Sequence, residues 1–542
     1  MGSRLVRWIA AGMAAGAAGG AIRGAAEIRA HDYLGDGMDR LALLALAGPL
    51  DLGVALGAAA GAAAALALVL FRPRAVAASV ARTGRAPIPA LAGIAVVLVL
   101  VGAIHALAAR TRTESAASPN VLFVLVDALR ADGLGGYGAR PSRTPVIDAF
   151  GERGWRFANA YSNAPKTVPS VASIFTGTLP VVHDIWEPLE GDAEGEGLAY
   201  LPDRFLLAPE LFRNYGYRTA MITTTGWITP EVNYDQGVDE YRVTAREDEA
   251  VVAAAEEFVA KNAGERFFVY LHLLDLHDYY HADRLFEGAT AAPAGVSPAL
   301  WELRSAGPSR IYRVLRAEPE RFTAADVAFL RAAYDRELVR LDRFFARLLA
   351  ALERAGIAGQ TLVVLTADHG EQFGEHGRLV HGGSALYDEV LRIPFVVGGA
   401  GIAPRVVEEP IGAIDFFPTL FELAGLPRPA IYQGRSLAGA GPWNPPNPVL
   451  STDGTTFKLV DGGWSYIFSE RRHRVELYDL GADPGEGRDL VAERAEVARR
   501  MRRELGERLR ASRRHPYVSV EKEARVAMNE RVEETLRSLG YL

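Results

Sequence analysis

Asn120–Asp127 reads NVLFVLVD, seven residues of almost unbroken apolar and β-branched character closed by a carboxylate. A run of this kind suits a strand covered on both faces, as in the centre of a parallel sheet. Thr361–Thr366 (TLVVLT) repeats the pattern and is followed by Ala367, Asp368 and His369. Arg218–Thr223, Phe267–Leu271 and Pro394–Val397 supply three further candidate strands. Helical patterns lie between them. The longest, about Ala324–Ala355, carries Phe329, Leu330, Leu338, Leu341, Phe345, Leu348 and Leu349 near helical spacing. This alternation predicts an α/β fold, a largely parallel sheet flanked by helices, with its site beyond the carboxyl ends of the strands.

The 542 residues allow three or four structural units. Lys+Arg 59 against Asp+Glu 66, a net charge of -7, argues against nucleic acid as a partner. The absence of cysteine excludes disulfides, thiolate metal sites and thiol nucleophiles. Ile88–Ala109 and Leu52–Phe71, of 22 and 20 residues without a formal charge, are long enough to cross a bilayer, and Trp8–Ile22 is a weaker third span. The loop Arg72–Arg85 holds four arginines and no acid, which places it in the cytoplasm and everything after Ala109 outside. The expectation is a multi-pass protein of the cell (inner) membrane with an extracytoplasmic catalytic domain. Its parts are a membrane domain over 1–112, a catalytic domain over 113–440 and a C-terminal subdomain with a helical tail over 441–542. Gly439–Pro448, rich in Pro and Gly, marks that second boundary. Beyond it come a hairpin-like stretch, Phe457–Phe468, and a charged helix, Val491–Ser512.

Five pieces carry chemistry. Asp127 and the pair Asp368–His369 each end a buried strand, and carboxylate oxygen with imidazole nitrogen suits a divalent cation. Asp127 alone would equally serve as a helix N-cap. In Ala164–Gly177 (APKTVPSVASIFTG), Pro169 suits the first turn of a helix. Thr167 is then either the N-cap or a hydroxyl placed where a helix start attracts anions. Leu271–His281 (LHLLDLHDYYH) gathers His272, Asp275, His277 and His281, and His381 follows in a fifth segment. Six of the eleven histidines (those at 272, 277, 281, 369, 376 and 381) fall in these regions, which favours a site over scattered core positions.

Together the segments resemble the sulfatase family of the alkaline phosphatase superfamily. NVLFVLVDALRADGLGGYG, then TPVIDAFGERGWRFANAYSNAPKTVPSVASIFTGTLPVVH, GYRTAM, FFVYLHLLDLH, TADHGEQFGEHG, HGGSALYDEVLRIPFVV and ELYDLGADP run in family order from about Pro119 to Leu490. The resemblance implies a metal-dependent enzyme acting on sulfate or phosphate esters through a covalent intermediate. By position, Asp127, Asp368 and His369 match metal ligands. Thr167 falls where family sulfatases carry the formylglycine precursor, and His277 and His381 match contacts to the ester or its leaving group. Three departures stand out: threonine is not that precursor, the motif arginine is Val171, and the second carboxylate of an Asp-Asp pair is Ala128. The lysine usual after GYRTA is also missing, the chain reading TTTGW there. The membrane segments and the threonine resemble branches that include phosphodiesterases and membrane-anchored transferases.

These residues predict one divalent ion per chain, zinc, manganese or calcium, held by Asp127, Asp368, His369 and Thr167. The mixed O/N donor set suits zinc or manganese better than calcium. A second ion is conceivable on Asp275, His277, His281 or His381. Thr167 is the expected nucleophile, with His277 or His381 protonating the leaving oxygen. The substrate is an anionic ester, lipid-linked or glycan-borne, and the reaction hydrolysis or phosphoryl transfer. A sulfuric ester hydrolase using unmodified threonine and a degenerate anion-binding domain are the alternatives.

Overall fold

The computed structural model describes residues 118–186, 198–224, 226–245, 247–382, 386–439, 447–518 and 525–526. The three expected membrane spans, the acidic loop Glu187–Gly197 and most of Gly439–Pro448 lie outside these residues. Among the described residues no helix is long and apolar enough to cross a membrane.

The main sheet has nine strands. In chain order they are β1 (Asn120–Val126), β2 (Trp155–Tyr161), β3 (Arg218–Thr223), β4 (Glu240–Val243), β5 (Phe267–Leu273), β6 (Thr361–Thr366), β7 (Arg392–Gly399), β8 (Arg405–Val407) and β9 (Ile411–Gly412). Across the sheet the order is β9-β2-β7-β6-β1-β5-β3-β4, with β8 also on the outer edge of β2. All seven residues of β1 are buried, as the apolar run requires of a strand flanked by β5 and β6 and covered on both faces. β1 pairs parallel with β5 (Leu125 beside His272) and with β6 (Leu125 beside Thr366). The carboxyl ends of three neighbouring strands therefore open at one edge.

One strand departs from the expected direction. β7 runs antiparallel to both β6 and β2. Among the described residues between Ala367 and Leu391 there are loops and short turns but no long helix crossing the face of the sheet, in keeping with a next strand that returns in the opposite sense. β2, WRFANAY, carries a bulge between Phe157 and Ala160 and alternates apolar with polar residues, a weaker signal than the continuous runs.

Five helices matter for the site and its support: α1 (Pro145–Arg153), α2 (Thr167–Thr176), α3 (Asp248–Asn262), α4 (Pro308–Ala317) and α5 (Ala324–Arg354). α5 begins at a reciprocal cap. The Thr323 hydroxyl accepts from the Asp326 amide, and the Asp326 carboxylate accepts from the Thr323 amide. α2 is buried along its whole length and stops at Gly177 (φ 59°), where a Cβ would lie 2.1 Å from the Tyr432 ring. That stop leaves its amino end facing the site.

The expected C-terminal hairpin belongs to a four-stranded antiparallel sheet of β10 (Val449–Thr452), β11 (Thr456–Asp461), β12 (Trp464–Ser469) and β13 (Arg474–Asp479). Leu459, Tyr466 and Leu477 from this sheet share a core with Met501 and Leu505 of a last helix, α6 (Ala495–Ser512), and with Leu179 and Ile414. Pro119–Ala424 and the chain from Tyr432 onward form one compact unit; Gly425–Ile431 groups with the residues up to Ser118.

Candidate active site

Asp127 follows β1 directly and caps no helix, since the first helical turn after it starts at Ala131. Ala128 takes a left-handed conformation (φ 59°), costing about 1–2 kcal/mol for a non-glycine residue. Its carbonyl accepts from the Tyr334 hydroxyl of α5, and its amide donates to Asp368 Oδ1 at 3.3 Å. The sharp turn after β1 is thus tied both to α5 and to the second strand end. Thr167 is the first residue of α2; the N-cap is Lys166, which makes no side-chain cap bond. This corrects the capping reading of Thr167: its hydroxyl instead donates to Asp127 Oδ2 at 3.3 Å and lies 3.4 Å from His369 Nε2.

His369 completes the group. Its Nδ1 lies 2.9 Å from the Gly370 carbonyl, to which it donates, so Nε2 is the nitrogen left facing the carboxylates. That Nε2 is 3.5 Å from Asp127 Oδ1 and 3.4 Å from Asp368 Oδ2. Both carboxylate oxygens are buried and have no hydrogen-bond partner. Unpaired buried acceptors of this kind are costly unless a cation meets them. Ligands around one cation stand about 3.3 Å apart in a tetrahedral shell with ~2.0 Å bonds, and about 3.4 Å apart in an octahedral shell with ~2.4 Å bonds. Thr167 and His369 each lie within 3.5 Å of a carboxylate oxygen of Asp127, and His369 lies 3.4 Å from Asp368, so donor types suited to a divalent ion stand side by side.

The electrostatics agree. Burial works to raise the Asp127 carboxyl, yet His277, His272 and His369 around it hold it at about 2. Burial and the facing Asp127 push Asp368 up, because two enclosed carboxylates repel without a cation between them. His369 is raised: Asp368 and Asp127 outweigh its burial.

His277 and His381 also converge here. Their rings are 5.0 Å apart, and the His381 ring is 4.3 Å from that of His369. Burial opposes charge on His277, but Asp127 and a 2.9 Å contact from its Nδ1 to Asp278 lift it to about 9. His381 goes the other way, held well below its ordinary value by burial and by the surrounding His369, His277, Lys166 and Arg316. Its Nδ1 lies 3.3 Å from Glu371, a buried carboxyl pushed up to about 8. The two neighbouring rings are thus pushed in opposite directions, His277 toward its charged form and His381 toward its neutral one.

Several neighbours fall outside the expected set. His272 Nε2 lies 3.4 Å from Asp127 Oδ2, and its Nδ1 pairs with the Tyr270 hydroxyl at 2.9 Å. Asp127, His272 and Asp368 offer ligand atoms within 4.8 Å of one another, so His272 is a further candidate ligand or the partner that orients Asp127. Period-two alternation in β5 beside β1 was the available signal. Asp278 also bridges to His281 Nε2 at 3.2 Å. Asp275 pairs with Arg284 at 2.6 Å and with Arg340 at 3.5 Å, and it accepts from the Asp248 amide. His376 likewise turns away, bonded to Glu389 and stacked on Tyr387.

The Sulfatase family model matches residues 119–426. The chain belongs to the sulfatase family. As a family member it is an ester hydrolase of the alkaline phosphatase superfamily, and the family is metal-dependent. Arylsulfatase K of Bos taurus is 24% identical over 469 residues, covering 74% of this chain and 83% of its own. Among solved structures, the phosphonate monoester hydrolase of Agrobacterium radiobacter matches with a TM-score of 0.56 and 19% identity over 76% of this chain and 100% of its own. BT4656, solved with its substrate D-glucosamine-2-N,6-O-disulfate, matches with a TM-score of 0.57 and 19% identity over 74% and 100%. At these identities the two structures establish the fold.

Proposed function

We propose that this sulfatase-family hydrolase cleaves monoanionic esters, sulfate monoesters or singly charged phosphorus esters, through an unmodified Thr167 nucleophile. The observation that carries the reading is the approach of Thr167 Oγ1 to Asp127 and His369, and of His369 Nε2 to Asp127 and Asp368, at 3.3–3.5 Å, with one oxygen of each carboxylate buried and without a hydrogen-bond partner. Charge selects the ester class. Asp127 and Asp368 balance a divalent ion, and protonated His277 leaves the pocket one positive charge to meet one negative charge on the substrate.

A divalent cation bound there supplies Lewis acidity, lowering the pKa of an alcohol beside it and offsetting charge on the reacting group. With the ester bound, Thr167 Oγ1 gives up its proton to solvent and attacks sulfur or phosphorus in line, helped by the dipole at the amino end of α2. The bond to the leaving oxygen breaks as His277 Nε2 gives up its proton. Asp278, on the other ring nitrogen, holds the imidazole in orientation. Glu371 in its protonated form donates to His381 Nδ1, which leaves His381 Nε2–H facing the ester as a neutral donor. Water then opens the Thr167 ester, its proton returning to His277.

Dialysis against a chelator is the direct test of the cation. Stripped protein should lose turnover of 4-nitrophenyl sulfate or bis(4-nitrophenyl) phosphate and recover it with about one equivalent of zinc or manganese. Asp368→Asn should weaken the metal by about 10–100-fold, since it removes half of the carboxylate pair. Full activity in chelated protein, or two equivalents at saturation, would refute the one-ion site.

His277 sets a pH dependence. It must enter protonated, so the rate falls as pH rises through its pKa, which lies below about 9 once a cation takes up the charge of Asp127. Asp278→Asn removes a contact that raises this pKa and should move the alkaline limb to lower pH. An unmoved limb assigns the proton to another group.

The same proposal extends to placement in the cell. Residues 1–112 form the membrane domain, with Leu52–Phe71 and Ile88–Ala109 as its firm spans, ahead of a catalytic domain over 113–440 and a C-terminal subdomain over 441–542. The basic Arg72–Arg85 loop faces the cytoplasm, and the substrate is lipid-linked or glycan-borne. The full chain should stay with membranes through carbonate washing, and protease added outside should reach the catalytic domain. Release into the soluble fraction would contradict the anchor.

A further inference from the structure

His272 links the cation site to the body of the fold, and the use of its two ring nitrogens decides its part. The Asp127 amide donates to the Leu273 carbonyl at 2.9 Å, which fixes Asp127 beside the end of β5. His272, the residue before Leu273 and fully buried, brings its Nε2 to 3.4 Å from Asp127 Oδ2. Tyr270 lies two residues earlier and therefore on the same face of the strand. Its hydroxyl is 2.9 Å from His272 Nδ1. The Tyr270 ring is held between Phe123 of β1 and Phe175 of α2, at centroid distances of 5.8 and 5.0 Å. α2 is the helix that begins at Thr167.

The hydrogen bonds fix which nitrogen of His272 carries the hydrogen. Among the described residues, the Tyr270 hydroxyl has no hydrogen-bond partner other than His272 Nδ1. Its proton therefore goes to Nδ1, since a buried O–H left without an acceptor is costly. With Nδ1 accepting, the ring hydrogen sits on Nε2 and is donated to Asp127 Oδ2, a bond strengthened by the carboxylate charge. The opposite tautomer would set a nitrogen lone pair against a carboxylate oxygen and strand the tyrosine proton as well. Asp127 Oδ2 thus receives two donors, His272 Nε2 and Thr167 Oγ1, the latter at 3.3 Å. Oδ1 of the same carboxylate is buried and receives none.

We propose that His272 is a positioning residue, locked by Tyr270, that holds Asp127 by Oδ2 and leaves Oδ1 to the cation. This rests on the reading of Asp127 as a metal ligand and settles His272 as its support rather than as a further ligand. The role matters most when Thr167 reacts. Once the Thr167 hydroxyl has given up its proton it no longer donates to Oδ2, and the His272 N–H remains as the tie on that oxygen. Asp127 keeps its aim while its neighbour changes.

Metal binding tests this without any turnover. The full chain in detergent would be stripped of metal and titrated with manganese(II) against a competing chelator. His272→Ala should weaken manganese by about 10–100-fold, as loss of a partner that orients a ligand does. His272→Gln, whose side-chain amide can still donate to Oδ2, should recover most of that loss. Tyr270→Phe should weaken binding in the same direction by less, although Tyr270 contacts neither Asp127 nor the ion. The Gln and Phe variants preserve packing, so the outcome does not hang on whether the alanine variant folds. Removing a ligand would also weaken binding, so pulsed EPR of the manganese-loaded protein, which counts coordinated imidazoles, makes the decision. One coordinated imidazole, that of His369, is expected, unchanged in His272→Gln. A second one that disappears in His272→Gln would make His272 a ligand and overturn the proposal. Manganese affinity unaltered in all three variants would overturn it too, while the cation site stands. Wild type that binds neither manganese nor zinc would remove the cation reading and the positioning role with it.

Discussion

Thr167→Ala should lower turnover by about 10⁴-fold or more while leaving the protein folded and metal-loaded, because the substitution removes the only atom assigned to form the covalent bond. Losing the hydroxyl and γ-methyl is benign for α2: alanine is the better helix former, and the Thr167 hydroxyl is directed at Asp127 and His369. The melting temperature should therefore hold or rise, the usual sign that a residue is kept for chemistry. Thr167→Ser retains the hydroxyl and should keep measurable activity. The comparison uses kcat at saturating substrate, with metal content checked in each variant. An alanine variant within tenfold of wild type would mean that water attacks the ester directly.

The second large effect lies away from the chemistry. Lys458 of β11 is fully buried and reaches Asp388 at 2.5 Å and Glu486 at 2.8 Å; Ser465 adds a bond to the same Glu486 oxygen. Glu486 also accepts from the Asp388 amide, and its carbonyl pairs with His376. This network clasps the C-terminal sheet to the segment between β6 and β7, the one that carries His369, Glu371 and His381. Lys458→Met strands two carboxylates without their cation, and breaking a buried pair in this way costs about 3–5 kcal/mol. The cost should depend on pH in a stated direction. Burial, working against Lys458, already pushes Glu486 up to about 7, so protonation relieves the stranded charge at low pH and the penalty grows as pH rises through that value. Denaturant unfolding at pH 5 and pH 8 checks both size and sign. Adding Glu486→Gln to Lys458→Met should recover most of the loss. A near-neutral Lys458→Met would show that the contact holds nothing together.

The sequence reading reached furthest where one residue's neighbours in the chain are also its neighbours in space. NVLFVLVD and TLVVLTADH announced buried parallel strands with ligands at their ends, and Asp127, Asp368 and His369 do meet there. The bounds of β1 and β6 follow from nearly uninterrupted apolar runs, and α5 from its long periodic stripe. Direction was illegible for β7, because strand polarity depends on the path of the connection rather than on the composition of the strand. His272 stood in view among four polar residues, but only the register of β5 against β1 separates it from Asp275, which a salt bridge to Arg284 draws away. Thr167 could equally have been a cap from its sequence, and only the fold turns its hydroxyl toward Asp127. Lys458 and Glu486 are 28 positions apart and belong to no shared motif, and nothing short of the fold could have paired them.

The central claim is a covalent Thr167 ester, and trapping it is the most direct measurement. Metal-loaded enzyme turning over an aryl sulfate or aryl phosphodiester would be quenched in acid at steady state, digested, and its peptides weighed. The account predicts one sulfuryl or substituted phosphoryl group on the peptide containing Thr167, absent from Thr167→Ala. Sustained turnover with that peptide unmodified, or the group found on another residue, would contradict it.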